Sequence, residues 1–226
     1  MNVVLSWSSG KDSALSLLRL REDQRYRVVG LCTTHVQGWV PYQNVSLDVV
    51  QEQAARLGLP LIGIALPQVF PSNEVYQHSV VVGLRASGLM VEAVGFGDMF
   101  HNGIADYRRS YIEPAGWRCV FPLLGEEPAA LAREVLVRGI RARITTVDTD
   151  QLSSEFCGAW YDGAFVASLP SNVDPCGENG EFHTLVLDMP GFSRSLDVQA
   201  LGVDHSGRFQ SLRWRLPASK PALAEG

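Results

Sequence analysis

Short apolar runs alternate along this chain with stretches in which apolar residues recur every three or four positions, a pattern that predicts strands separated by helices. Val3 to Leu5 reads as a buried strand, the polar turn from Ser8 to Ser13 follows it, and a densely apolar helix is expected from about Ser13 to Asp23. Arg27 to Thr34 is a second buried strand. Leu47, Val50, Ala54 and Leu57 then recur at helical spacing, with Gly58 and Pro60 as the stop. Leu61 to Leu66 reads as a third strand ended by Pro67, Asn73 to Ala86 as a helix stopping at Gly88, and Val91 to Phe96 as a fourth strand. Strands joined through single helices imply right-handed crossovers and a parallel sheet covered on both faces. The expected fold class is therefore α/β, with a doubly wound parallel sheet.

The second half reads differently. Asp106 to Tyr111 fits a helix, Arg118 to Phe121 a strand ended by Pro122, and Ala129 to Val137 a helix with Pro128 at its tolerated first position. Arg141 to Val147 and Phe182 to Leu187 are strand-like, and Leu196 to Val203 with Arg208 to Arg215 suggest a hairpin turning around Asp204 to Gly207. We expect a nucleotide-binding domain over 1–125, a smaller C-terminal α+β domain over 126–216 and a disordered tail over 217–226. No repeat or low-complexity linker marks the boundary.

With 226 residues and 46% hydrophobic content the chain can bury a sizeable core. Its net charge of −5 comes from 19 basic and 24 acidic residues without a basic run, which points away from a nucleic-acid surface and toward a small metabolite or a protein as partner. No apolar segment approaches the roughly 18 residues that span a bilayer, and no leader-like start precedes the first strand, so a cytoplasmic location without membrane association is expected. Cys32, Cys119, Cys157 and Cys176 form no Cys-x-x-Cys pair, so each is expected to act as a small buried hydrophobe unless the site recruits it.

The turn of Ser8, Ser9, Gly10, Lys11, Asp12 and Ser13 joins a strand to a helix, and such a loop favours anions because backbone amides and the helix dipole point at them. It is not the usual P-loop, since Leu5 stands where that motif needs glycine and Asp12 where it needs Ser or Thr. It resembles the Ser-Gly-Gly-Lys-Asp-Ser signature of the PP-loop ATP pyrophosphatases, with Ser9 where the commonest form has glycine. The resemblance implies a Rossmann-like fold that grips the β- and γ-phosphates of ATP in this loop. Ligands of parallel sheets bind beyond the carboxyl ends of the strands. Thr33 and Thr34 would then contact the adenosine and Gly97 and Asp98 would complete the site, with Asp98 or Asp12 holding magnesium. His35 is a weaker candidate. Arg108 and Arg109 either reach phosphates or a substrate acid or simply lie on an exposed helix.

The other informative stretch runs from Asn172 to Pro190. Cys176, Glu178, Glu181 and His183 fall within eight residues around a glycine-rich turn, a set that could bind ammonium, bind a metal, do acid–base chemistry or merely build a turn. Cys176 to Thr184 with Asp188 and Pro190 is similar to the hallmark of the diphthine–ammonia ligase family, a branch of the PP-loop proteins. Echoes at Ala54 to Pro60, Phe96 to Asp98 and Phe121 to Leu123 extend the likeness over about residues 1 to 192. It implies an ATP-dependent amide-forming ligase that adenylates a substrate carboxylate, releases pyrophosphate and transfers ammonia. The implied acceptor is diphthine on a translation elongation factor, or another small carboxylate. The implied roles are phosphate binding by Lys11 and capture and deprotonation of ammonium by Glu178, Glu181 and His183, with Cys176 an ambiguous thiol. A non-catalytic adenine-nucleotide sensor is the reading from outside the enzyme class. The stretch from Glu155 to Trp160, and Leu124 where a Trp is common, depart from the family pattern where substrate contacts are expected. The hairpin edge could support a homodimer.

Overall fold

The computed structural model describes residues 1–217. The first sheet begins with β1 (Asn2–Ser6), α1 (Lys11–Glu22) and β2 (Arg27–His35). Two short strands, β3 (Trp39–Val40) and β4 (Val45–Ser46), precede α2 (Leu47–Arg56) and β5 (Leu61–Ala65). Then come α3 (Asn73–Ala86), β6 (Ala93–Gly95), α4 (Ile104–Ile112) and β7 (Arg118–Val120). The sheet is wholly parallel, in the order β5-β2-β1-β6-β7.

Double winding follows from side-chain alternation along β1. Val3 and Leu5 enter one core with Leu15 of α1 and Val49 of α2, whereas Val4 between them enters a second core with Val80 and Leu84 of α3 and Ile112 of α4. Each face of the sheet thereby receives its own layer of helices, as a parallel sheet requires. The strand order reverses beside β1, because β2 and β5 lie on one side of it and β6 and β7 on the other. The loops leaving β1 and β6 therefore flank the switch point at the carboxyl ends of the strands, where such sheets bind ligands.

The second sheet uses α5 (Pro128–Val137), β8 (Arg141–Asp148), β9 (Trp160–Tyr161), α6 (Gly163–Ser168), β10 (Phe182–Asp188), β11 (Gln199–Ser206) and β12 (Phe209–Arg215). Its order is β10-β8-β12-β4-β3, with β9 added to β8 and β11 to β12. The first sheet's last strand ends at Val120 and the second sheet's strands start at Arg141, except for β3 and β4, which join the second sheet through the pairing of Val45 with Trp214. One core unites both sheets: Leu15, Leu131, Ile144 and Leu185 belong to it together.

The structure shifts several expected boundaries. The first helix begins at Lys11, two residues earlier than Ser13, so Lys11, Asp12 and Ser13 occupy its first turn behind the N-cap Gly10. The fourth strand shrinks to Ala93–Gly95. The hairpin turns at Gly207 and Arg208, with Ser206 paired to Phe209, because Gly207 supplies the positive φ (59°) that a two-residue turn needs. β3, β4, β9 and α6 were too short to leave a period in the sequence. The expected tail lies, beyond Pro217, outside the described residues. No helix among the described residues is long and apolar enough to cross a membrane.

Candidate active site

The chain leaves β1 into a turn held from behind. Ser9 sits at φ 72°, in the left-handed region that costs an L residue about 1 kcal/mol or more and costs glycine nothing, which accounts for glycine in the commonest form of the motif. That conformation is over-determined by its partners. The Ser9 carbonyl accepts the Val186 amide at 2.9 Å, and buried Gln53 donates to the Val186 carbonyl at 2.7 Å while accepting the Trp7 indole N–H at 2.8 Å. The Lys11 amide donates to Thr184 Oγ1 at 3.1 Å. Strand β10 is thus docked directly on the loop, and a Cβ on Gly10 would come within 3.2 Å of Thr184.

The glycine-rich turn ahead of β10 is built around Glu181. Its buried carboxylate accepts the amides of Asp174 and Asn179, each at 2.9 Å, and the Asn179 side chain at 3.2 Å. Gly177 has φ 71° and no room for a side chain, since a Cβ there would lie 2.7 Å from the Phe182 carbonyl. The Tyr161 hydroxyl closes the far side by donating to the Pro175 carbonyl at 2.8 Å. With the turn fixed, Glu178 projects toward the loop after β6, where its Oε1 accepts the Met99 amide at 3.4 Å.

Two adjoining cavities result. The larger, about 440 Å³, opens beyond β1, β2 and β5 and is lined by Thr33, Thr34, Tyr42, Phe70, Tyr76 and Phe96 among others. The smaller, about 250 Å³, is lined by Ser8, Gly10, Lys11, Asp12, Ser13, Gly97, Asp98, Cys176, Glu178, His183 and Thr184. The first loop, the loop after β6 and the Cys176 to Thr184 turn therefore share one wall. First-turn amides of a helix lack intrahelical acceptors. Those of Asp12 and Ser13 have no backbone partner among the described residues. The Ser13 hydroxyl spends its proton on the Gly10 carbonyl at 2.8 Å, so the two amides and the nearby Ser8 hydroxyl form the donor set suited to phosphate oxygens.

Four expected residues take other places. Ser9 is fully buried behind the wall, so its hydroxyl does not line the cavity. Glu181 is consumed by the turn it organises. His35 Nδ1 accepts the Gly38 amide at 3.3 Å and shapes the turn before β3. Arg109 pairs with Asp106 at 3.1 Å and Glu113 at 3.8 Å, away from both cavities, whereas Arg108 faces both. Sequence reasoning missed Gln53, Thr184 as the anchor of the loop, and Tyr42. The ring of Tyr42 lies 5.5 Å from that of His183, centroid to centroid. Gln53 left a signal, a polar residue on the buried face of an otherwise apolar helix.

Electrostatics divides the site. Burial lowers the pKa of the Lys11 ammonium, but Asp12 at 2.9 Å, together with nearby Cys176 and Glu178, more than offsets this, and the net shift is upward. Lys11 also donates to the Cys176 carbonyl and lies 5.4 Å from the ring centres of both Tyr161 and Phe182. Burial, reinforced by Asp12, raises Glu178 to about 7, so its carboxyl titrates near neutrality. Burial and the Lys11 charge hold His183 down at about 4, so its imidazole is neutral at pH 7. The Cys176 thiol is pushed up to about 12 by burial and donates to the Pro128 carbonyl at 3.3 Å. A protonated, enclosed thiol is a poor nucleophile. Iodoacetamide at pH 8 is expected to leave Cys176 unmodified in the folded protein and to alkylate it after denaturation, as read by peptide mass; rapid native labelling would contradict the assignment.

Residues 127–212 match the family described as diphthamide synthase C-terminal domain. The chain is 25% identical over 221 residues to the diphthine–ammonia ligase of Schizosaccharomyces pombe (strain 972 / ATCC 24843), an alignment covering 87% of this chain and 36% of that protein. It thus spans about a third of the length of that curated relative. A solved structure described as a predicted subunit of tRNA methyltransferase from Methanocaldococcus jannaschii DSM is 19% identical with a TM-score of 0.42, over 68% of this chain and 81% of that one, a likeness too distant to inform function. The family match falls on the stretch that carries the Glu181-built turn. The chain is thus similar to the diphthamide synthase C-terminal domain over residues 127–212 and to a diphthine–ammonia ligase over 87% of its length.

Proposed function

We propose that this chain is an ATP-dependent amide-forming ligase, which activates a substrate carboxylate as its adenylate with loss of pyrophosphate and then lets ammonia displace AMP. The observation that carries this reading is the shared wall of the smaller cavity: a phosphate-suited helix start on one side and Glu178 on the other, locked together through Thr184 and Val186. A carboxylate is a poor acyl donor because its leaving group would be oxide, and conversion to an acyl phosphate anhydride removes that obstacle.

The larger cavity has the size and the mixed apolar and hydroxyl lining of a nucleoside site. In this reading the amides of Asp12 and Ser13 and the hydroxyl of Ser8 hold the departing pyrophosphate, stabilising charge where it develops. Magnesium is commonly held by one or two carboxylates together with phosphate oxygens, the number that Asp12 and Asp98 offer, and it would neutralise phosphate charge there. Glu178 would take the proton from the incoming ammonium, since a base that titrates near pH 7 suits proton transfer at neutral pH. His183, neutral and weakly basic, would accept a hydrogen bond, and Glu181 would act through the turn it holds. Cys176 would serve through its carbonyl rather than its sulfur.

The test is a product assay with the full chain, ATP, magnesium, ammonium and a carboxylate acceptor. AMP and pyrophosphate formed in step with amide are the expected products. ADP and phosphate would argue for kinase-like chemistry, and tight binding of unaltered ATP with every acceptor tried would favour a sensor.

A further inference from the structure

Charge is unevenly spread over the two cavities. Among the described residues lining the larger one, Arg108 alone carries an ionised group, and the smaller is lined by two cations, Lys11 and Arg108, against Asp12, Asp98 and Glu178. The Lys11 ammonium is already committed to Asp12 and to the Cys176 carbonyl. Arg108 is committed only in part. Its Nε donates to Asp98 at 3.2 Å and its Nη1 to the hydroxyls of Tyr76 at 3.3 Å and Tyr111 at 3.4 Å, while Phe96 lies 4.9 Å beneath the guanidinium. Its Nη2 has no acceptor among the described residues. Five side chains or backbones border both cavities, Ser6, Ser8, Gln43, Phe96 and Arg108, and only Arg108 among them is charged.

A nucleotide lying with its base in the larger cavity and its outer phosphates in the smaller must pass its innermost phosphate across that border. We infer that Arg108 binds the α-phosphate through its unpartnered Nη2, oriented by Asp98 and the two tyrosine hydroxyls, an assignment that rests on the nucleotide reading above. A guanidinium with one face already fixed loses little freedom in making a charge-assisted bond to phosphate. Asp98, read from the sequence as a metal ligand, is therefore first of all the residue that sets the angle of Arg108.

The experiment compares AMP with adenosine by titration calorimetry on the full chain without magnesium. Wild type is expected to hold AMP more tightly than adenosine. Arg108→Met should cut the ratio of AMP to adenosine affinity by about tenfold or more, with circular dichroism reporting folding. Arg108→Gln, which keeps an amide donor for the tyrosines, carries the same expectation and serves if the Met variant fails to fold. An undiminished ratio of AMP to adenosine affinity in a folded variant would overturn the role of Arg108 and leave the nucleotide reading intact. Failure of wild type to bind AMP, ATP or adenosine would overturn both.

Discussion

Glu178→Gln is expected to cut amide formation by two to four orders of magnitude, the usual worth of a positioned general base, while nucleotide binding changes little. The expectation rests on where the carboxyl sits. Burial and the nearby Asp12 raise its pKa to about 7 from an ordinary 4.5, so near neutrality it passes between a form that can accept a proton and one that cannot. Turnover should therefore rise with pH through about 7, and the glutamine variant should lack that limb. Stability should move the opposite way. A carboxyl whose folded pKa is raised is neutral in both states below about 4.5, so its penalty is absent there; the penalty grows as pH rises toward 7 and is complete above it. At pH 8 Glu178→Gln should thus be more stable than wild type, by on the order of 2 kcal/mol, and near pH 4 the two should coincide. Denaturant unfolding at both pH values measures this, and equal stabilities at pH 8 would mean the carboxyl is not desolvated as described.

Most of the first sheet was legible in the sequence because its strands are buried on both faces and its helices carry a clear apolar stripe. Val3 to Leu5 is a run rather than an alternation for the reason that the structure makes plain: Val3 and Leu5 serve one core and Val4 the other. The second sheet was harder to read. β3 and β4 are two residues each, and their partner, β12, lies far along the chain, so no local pattern announces them. The site was legible as two motifs, yet their roles were not. Glu181 and Glu178 look equivalent three residues apart, and only the path of the turn shows that one accepts three bonds from it while the other faces the cavity. Arg108 and Arg109 look equivalent too, and the rotation of one residue along α4 sends one toward the cavities and the other toward Asp106 and Glu113. Motif residues mark a place. Which of them touch the substrate is decided by contacts that neighbours in sequence cannot encode.

Lys11→Met should be the most damaging substitution in the first loop, and damaging before any nucleotide is added. The side chain is almost wholly buried, its ammonium bonded to Asp12 and the Cys176 carbonyl and enclosed by Tyr161 and Phe182. The methionine would fill the same volume but leave the carbonyl without its donor and Asp12 without its counter-charge. Removing one partner of a buried pair typically costs about 3–5 kcal/mol; because Asp12 keeps some access to water, a loss of about 3 kcal/mol is the better expectation. The folded pKa of Lys11 is raised above 10.5, so this stabilisation is fully present below that value and is lost only as pH climbs through the higher folded pKa. The deficit of the variant should accordingly be the same at pH 6 and pH 9. Turnover should fall by more than about a hundredfold, because the turn that carries Glu178 loses its tie to the phosphate loop and the two halves of the cavity no longer keep their spacing. Lys11→Arg should rescue neither quantity, since the side chain is almost wholly buried and a guanidinium is bulkier than the ammonium it would replace. The decisive measurement is the unfolding midpoint without ligand. If Lys11→Met unfolds at the wild-type denaturant concentration yet fails to turn over ATP, the ammonium serves the phosphates alone, and the interlock between the first loop and the Cys176 turn does not carry the site.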